Sequence, residues 1–296
     1  GGAMIGSPLA VNLMKYFGSP TSTGIIPTFL AMGAIYFVVM MFGVFTVRVP
    51  QKGWKPEGWE PKPASQQKLV TSANVNASEA IKTPQFWLVW MVLFLNVSAG
   101  IGVLQTASPI IQQTLGVSVA AAAGFVGLLS LFNMGGRFFW STFSDKLGRK
   151  TTYNVYFILG GILYALVPTA AKMHSVPLFV LFVCVIISMY GGGFSTVPAY
   201  LKDLFGTLQV GAIHGRLLTA WSAAGIVGPL LINFMRDYQL AHGVALADSY
   251  NFTMYILVGF LIVGLVCNLA VTPVHERYHQ RARQEVPSGG TRLATN

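Results

Sequence analysis

Arg137 places a guanidinium inside an apolar run. Residues 120–143 read AAAAGFVGLLSLFNMGGRFFWSTF, long enough to cross a bilayer with one cation within it. A charge in hydrocarbon costs at least a few kcal/mol, so Arg137 is expected to face a protein interior or a wet cavity. Its planar fork of five donors suits a carboxylate, gripped bidentately, better than an ammonium would. The competing reading is a long side chain that snorkels to the surface, since Asp145 follows about 12 Å further along the helix. Behind the run comes a compact polar turn, Ser144-Asp145-Lys146-Leu147-Gly148-Arg149-Lys150. Gly148 permits a tight reversal there, and Asp145 can pair with basic neighbours or face a helix amino terminus. Such a cluster can lock one conformation and free another, or simply be a basic turn that sets membrane orientation.

The elements that must hold these residues are membrane helices. Charged residues make up 9% of the 296-residue chain and hydrophobic ones 53%, with a mean hydropathy of +0.59. A soluble domain carries roughly 25% charged residues, so this composition excludes one. Runs long enough to span lie near 26–47, 85–107, 120–143, 152–171, 177–200, 212–235 and 250–272. Each meets the requirement of about 20 mainly apolar residues. Gly1 to Met14 is apolar too, but at ~1.5 Å per residue it reaches only about 21 Å of a core ~30 Å thick. The expectation is a chain that opens partway through a helix, as the carboxyl-terminal part of something longer.

The net charge of +10 invites a nucleic-acid reading, but the basic residues sit in the gaps between spans and do not form a patch interleaved with aromatics. Counted over alternate loops, fifteen Lys and Arg fall on one side and three on the other. That asymmetry assigns the richer side, and with it the carboxyl terminus, to the cytoplasm of a multi-pass protein in a plasma or inner membrane. The stretch 48–83 holds Pro50, Pro56, Pro61 and Pro63 with Trp54 and Trp59 among charges, which reads as an extended linker. Its tryptophans are expected at the membrane interface. Cys184 and Cys267 lie in apolar runs and read as packing residues. No histidine pair has metal spacing within a span, and no metal, cofactor or nucleic-acid partner is expected. The chain is expected to act as a monomer in the lipid bilayer.

Ser141, Asp145, Lys146, Gly148, Arg149 and Lys150 together resemble the loop signature of the major facilitator superfamily, with serine where glycine is usual. KTPQFW (Lys82 to Trp87), LFNMGGRFFW (Leu131 to Trp140) and YGGGFSTVP (Tyr190 to Pro198) resemble its oxalate/formate antiporter branch. The resemblance implies an all-α major facilitator fold, present here in part. Residues 1–47 would be the last two helices of an amino-terminal bundle, the first incomplete, and 48–83 a cytoplasmic linker. Residues 84–273 would form a complete six-helix carboxyl-terminal bundle, with 274–296 a cytoplasmic tail. The resemblance also implies that Arg137 binds substrate carboxylate, and that Asp145, Lys146, Gly148, Arg149 and Lys150 gate. Tyr190 and Phe194 match aromatic positions used around the substrate, and their four-residue spacing puts both rings on one helix face. Trp221, within HGRLLTAWSAAGIVGP, stands where oxalate carriers of the branch place a second cation. These aromatics are equally readable as packing residues, and Gly191–Gly193 as a bend or a close contact. Asn96, Gln105 and Asn133 could face a cavity or bond another helix. Gly225, Gly228 and Pro229 are expected to allow close contact and a bend in the sixth span.

The function implied is alternating-access transport of a small organic anion, by exchange if no acid titrates on the path. No complete span has Asp or Glu in its apolar middle. One cation in place of two favours a monocarboxylate over a dianion. The alternatives are a transporter-like sensor or receptor and a proton-coupled carrier of another solute. An enzyme would need a nucleophile with a base, or a metal cluster, and the sequence offers neither.

Overall fold

Helix starts and stops are written locally in this chain, and the computed structural model follows them. It describes residues 2–48, 51, 54, 55, 57, 58, 69–71, 73–246 and 248–280. Trp59, the four linker prolines and the tail beyond Gln280 lie outside these. Among the described residues there is no β-strand, and seven helices are long and apolar enough to cross a membrane. The helices are α1 (Gly2–Phe17), α2 (Ile25–Thr46), α3 (Ala77–Ala80), α4 (Pro84–Gln113) and α5 (Val119–Leu147). They continue with α6 (Arg149–Lys172), α7 (Val176–Phe205), α8 (Val210–Leu217), α9 (Thr219–Ala241) and α10 (Ser249–Ala270).

Thr83 caps α4 by accepting the Phe86 N–H at 3.2 Å, and Pro84 fills the first helical position, where its missing N–H costs nothing. Gln85 then donates to Thr272 Oγ1 at 3.2 Å and to the Pro273 carbonyl at 3.1 Å, while Trp87 Nε1 donates to the Ile81 carbonyl at 2.9 Å. KTPQFW is therefore a helix start that also fastens the chain leaving α10. Ser118 caps α5 in the same way. At the other end of α5, Gly148 has φ +86°, a left-handed turn that closes α5 and opens α6 with no intervening loop.

The helices α4 to α10 pack together, with the tightest contact between α5 and α7. In lipid, apolar side chains gain little by meeting each other, so close backbone approach has to drive association. Gly136 and Gly191 supply it. A Cβ on Gly136 would lie 2.1 Å from the Ser188 carbonyl oxygen, and one on Gly191 would lie 2.1 Å from that of Asn133. The glycine run 191–193 is thus a packing surface. Its neighbouring core holds Tyr153, Tyr156, Phe179 and Tyr200, all buried. Tyr153 donates to the Gly193 carbonyl at 2.8 Å, and Tyr156 shares a hydrogen bond with Thr196 at 3.2 Å. Cys184 is buried and Cys267 half-buried, both free.

Two features differ from the sequence reading. The sixth span is interrupted: α8 and α9 meet at Leu218, upstream of Pro229; a Cβ on Gly225 would meet nothing within 4 Å, whereas Gly228 is buried and a Cβ there would lie 3.5 Å from Ile101 Cγ2 and from the Ser98 carbonyl oxygen of α4. The interruption falls where no proline or glycine marks it. The end of the linker is also not a free spacer, because residues 73–80 are bonded to the α7–α8 turn and carry the short α3. The hairpin α1–α2 meets the remaining helices chiefly through α1 against α5. Thr28 is the buried residue of α2.

Candidate functional site

The α5–α7 contact decides where Arg137 goes. Gly136, directly before it, is pressed on α7, and Ser195 Oγ donates to the Arg137 carbonyl at 3.1 Å and to the Gly192 carbonyl at 3.0 Å. With its backbone fixed on α7, Arg137 lays its guanidinium over the Phe194 ring, Cζ 5.8 Å from the centroid. Phe194 is the hub of the group. It meets Tyr190 edge-on at 5.2 Å and Trp221 of α9 at 5.0 Å between centroids. Tyr190 in turn lies against Gly100 of α4. Residues from three helices, named separately from the sequence, stand together here.

Arg137 is exposed, as is Trp221 at 48%, so the group occupies an open face of the helices. Among the described residues Arg137 has no acidic partner and no side-chain hydrogen bond. An arginine–ring contact of this kind is worth about 0.5–1 kcal/mol when exposed and about 2 when dry, and it leaves the N–H edge of the guanidinium free. A carboxylate approaching that edge would meet two parallel donors, with aromatic rings as walls. Of the polar residues in the spans, Asn96 is buried against Gly193, Gln105 is exposed and Asn133 is half-buried with its backbone on Gly191.

The polar turn is a second constellation. Arg149 donates to Asp145 and to Ser144 Oγ, and its Nε lies 3.7 Å from Asp203 Oδ2 near the end of α7. Asp145 is 62% exposed while Arg149 and Asp203 are each 17% exposed. An exposed ion pair contributes about 0–1 kcal/mol, so the Asp145 contact is easily broken, and the more buried Asp203 contact is held in a lower dielectric. Lys150 does something different. It donates to the Leu269 and Val271 carbonyls at 2.8 and 2.7 Å, satisfying the open carboxyl end of α10. Asn268 fastens the same joint, donating to the Lys150 carbonyl at 2.8 Å and to Asn154 Oδ1 at 2.9 Å while accepting from Tyr200 at 3.1 Å. Lys146 is exposed. A cleft of about 480 Å³ opens between these groups, lined by Arg149, Lys150, Asn154, Tyr200 and Asp203.

Asp203 and Ser195 are the residues that reading the sequence missed. An acid at the end of a span beside a basic turn was a usable signal for Asp203. Ser195 gave none, because its role is to a backbone carbonyl.

The sequence profile of the Major Facilitator Superfamily matches residues 1–229. The oxalate:formate antiporter of Oxalobacter formigenes is 31% identical over 207 residues, covering 69% of this chain and 46% of that protein. An uncharacterized MFS-type transporter of Escherichia coli K12, YhjX, is 24% identical over 214 residues, 69% of this chain and 48% of its own length. Apicoplast pyruvate carrier 1 of Toxoplasma gondii is 24% identical over 225 residues, 72% of this chain and 38% of that carrier. The chain spans less than half the length of each of these relatives.

Proposed function

Because the chain belongs to the Major Facilitator Superfamily, we propose that it serves a secondary carrier that exchanges small organic anions, monocarboxylates above all, across a cell membrane. The observation that carries this reading is Arg137. Among the described residues it stands unpaired over Phe194, flanked by Tyr190 and Trp221, on a membrane helix where a free cation is otherwise expensive. A bound carboxylate neutralises that charge and uses both donors of the guanidinium edge. Two of the relatives are named for carboxylates, an oxalate:formate antiporter and a pyruvate carrier. Exchange fits better than proton coupling because the spans carry no acid in their apolar middles. Trp221 favours one carboxylate over two, since it offers a ring where a dianion would need a second cation.

In this reading the turn at Asp145 is the gate. Its exposed ion pair to Arg149 breaks at small cost, while Lys150 keeps α6 and α10 joined throughout. The side bearing this turn is the cytoplasmic one, as the excess of basic residues supports. The test is exchange of radiolabelled acids by the full-length protein in vesicles. Formate-, acetate- and pyruvate-sized monoanions should compete with one another, and dicarboxylates should compete poorly. Dicarboxylates competing as well as monocarboxylates would overturn the substrate class, and no exchange of any organic acid would overturn the carrier reading.

A further inference from the structure

The residues just before α4 are hydrogen-bonded to a turn more than a hundred positions away. Thr71 N–H donates to the Asp203 carbonyl and Val75 N–H to the Phe205 carbonyl, each at 2.9 Å. Asn74 Oδ1 accepts the Leu208 N–H at 3.0 Å. Gln209 holds the same segment with both ends of its amide, accepting the Ala77 N–H at 2.7 Å and donating to Asn76 Oδ1 at 3.2 Å. The stretch after α10 closes over this from the other side. Gln280 N–H donates to the Asn74 carbonyl at 2.7 Å, its side-chain amide donates to Asn76, and His279 pairs with Val75 in an isolated antiparallel bridge. The turn is shaped for the purpose. Gly206 has φ +80°, and a Cβ there would lie 2.4 Å from the Ala73 carbonyl oxygen, so a side chain would push the segment off.

The attachment is extensive, yet each of its bonds among the described residues joins uncharged groups. Val75 and Ala80 are fully buried beneath it. Each neutral hydrogen bond contributes about 0.5–1.5 kcal/mol net, so the contact can open stepwise. Two of its anchors lead to the constellations described above. Asp203 offers its carbonyl to Thr71 and its carboxylate to Arg149 of the polar turn. Gln209 opens α8, whose eight residues end at the Leu218 interruption, three positions before Trp221. The segment is thus linked to the polar turn through one residue, and through a short helix to the stretch that leads to Trp221.

We infer that Thr71, residues 73–80 and residues 275–280 form a two-sided strap, an amide node of Asn74, Asn76, Gln209 and Gln280, that holds the α7–α8 turn in one state and releases it in another. The linker and the tail together then set how readily the helices change state. What the two states do rests on the carrier reading; that the strap opens does not.

Ser78 and Leu208 are exposed and lie on the strap and on the turn. Spin labels on Ser78→Cys and Leu208→Cys, in full-length protein with Cys184 and Cys267 replaced by alanine, report their separation in lipid vesicles without any substrate. Two separations are expected, with Gln209→Ala shifting the population to the longer one. A single separation, unmoved by Gln209→Ala, overturns the strap. Bridging the same two cysteines with a short reducible cross-linker should abolish exchange, and reduction should restore it; undiminished exchange in the bridged protein also overturns it. A protein that shows two separations but exchanges no organic anion would refute the carrier reading alone.

Discussion

Gly135 and Gly136 are neighbours in sequence with opposite tolerance for a methyl group. On Gly136 a Cβ would lie 2.1 Å from the Ser188 carbonyl oxygen and 2.7 Å from two further backbone atoms of that residue. Ordinary carbon–oxygen contact begins at about 3.3 Å, so α5 and α7 would have to part by about 1 Å. Backbone cannot rotate away as a side chain can, and overpacking of this kind costs about 1–3 kcal/mol. The better helix propensity of alanine returns about 0.8–1 kcal/mol of that. The net loss for Gly136→Ala is up to about 2 kcal/mol, or a fall of a few °C in Tm, on the order of 2–4 °C per kcal/mol for a chain of this size. At Gly135 a Cβ meets nothing within 4 Å and points into an apolar groove of about 390 Å³, so Gly135→Ala should be neutral or stabilising. The consequence reaches the site as well. Moving α5 off α7 stretches the Ser195 bond to the Arg137 carbonyl and carries the guanidinium, already 5.8 Å from the Phe194 centroid, beyond the ~6 Å range of that contact. Thermal unfolding in detergent, followed by a thiol-reactive dye at buried Cys184, reads the first effect; binding of a labelled monocarboxylate reads the second. Equal Tm for the two variants, or a lower one for Gly135→Ala, would refute the packing argument.

Other outcomes follow from single contacts. Tyr153→Phe removes a buried hydroxyl that donates to the Gly193 carbonyl at 2.8 Å, and should lower unfolding stability by about 1 kcal/mol in the same assay. Asp145→Asn cuts an ion pair that is largely exposed, so Tm should move little while the exchange rate changes; a large loss of stability would show that the pair holds the fold rather than the gate. Trp221→Lys places a second cation beside Phe194, and competition assays should then show dicarboxylates gaining on monocarboxylates. Unaltered selectivity would remove Trp221 from the specificity argument.

The spans were legible because apolar runs in a chain with so few charges leave little choice, and their ends because Thr83-Pro84, Ser118 and Gly148 each supply a local stop or start. Arg137 announced itself by being the wrong kind of residue in its run. Tyr190 and Phe194 could be placed on one face by their spacing, whereas the contact of Phe194 with Trp221 depends on how α9 leans on α7, which no local pattern carries. The same holds for Arg149 with Asp203. Gly191–Gly193 left bending and packing open until the carbonyl of Asn133 was seen to fill the space a Cβ would need. The attachment of the linker's far end is illegible in sequence for a related reason. Prolines and lysines mark 48–68 as a spacer, but what ties down Thr71 and residues 73–80 is mostly backbone N–H groups and amides, which look in sequence like any polar loop.

The most direct test of the account is to change the shape of the cation at position 137 while keeping its charge. Arg137→Lys in the full-length protein, reconstituted in vesicles preloaded with a monocarboxylate, keeps the positive charge but loses the paired donors. Loss of one charge-assisted hydrogen bond, about 1.5–3 kcal/mol, predicts exchange weakened about 10- to 100-fold with Tm unchanged. Exchange at the wild-type rate by Arg137→Lys would contradict it.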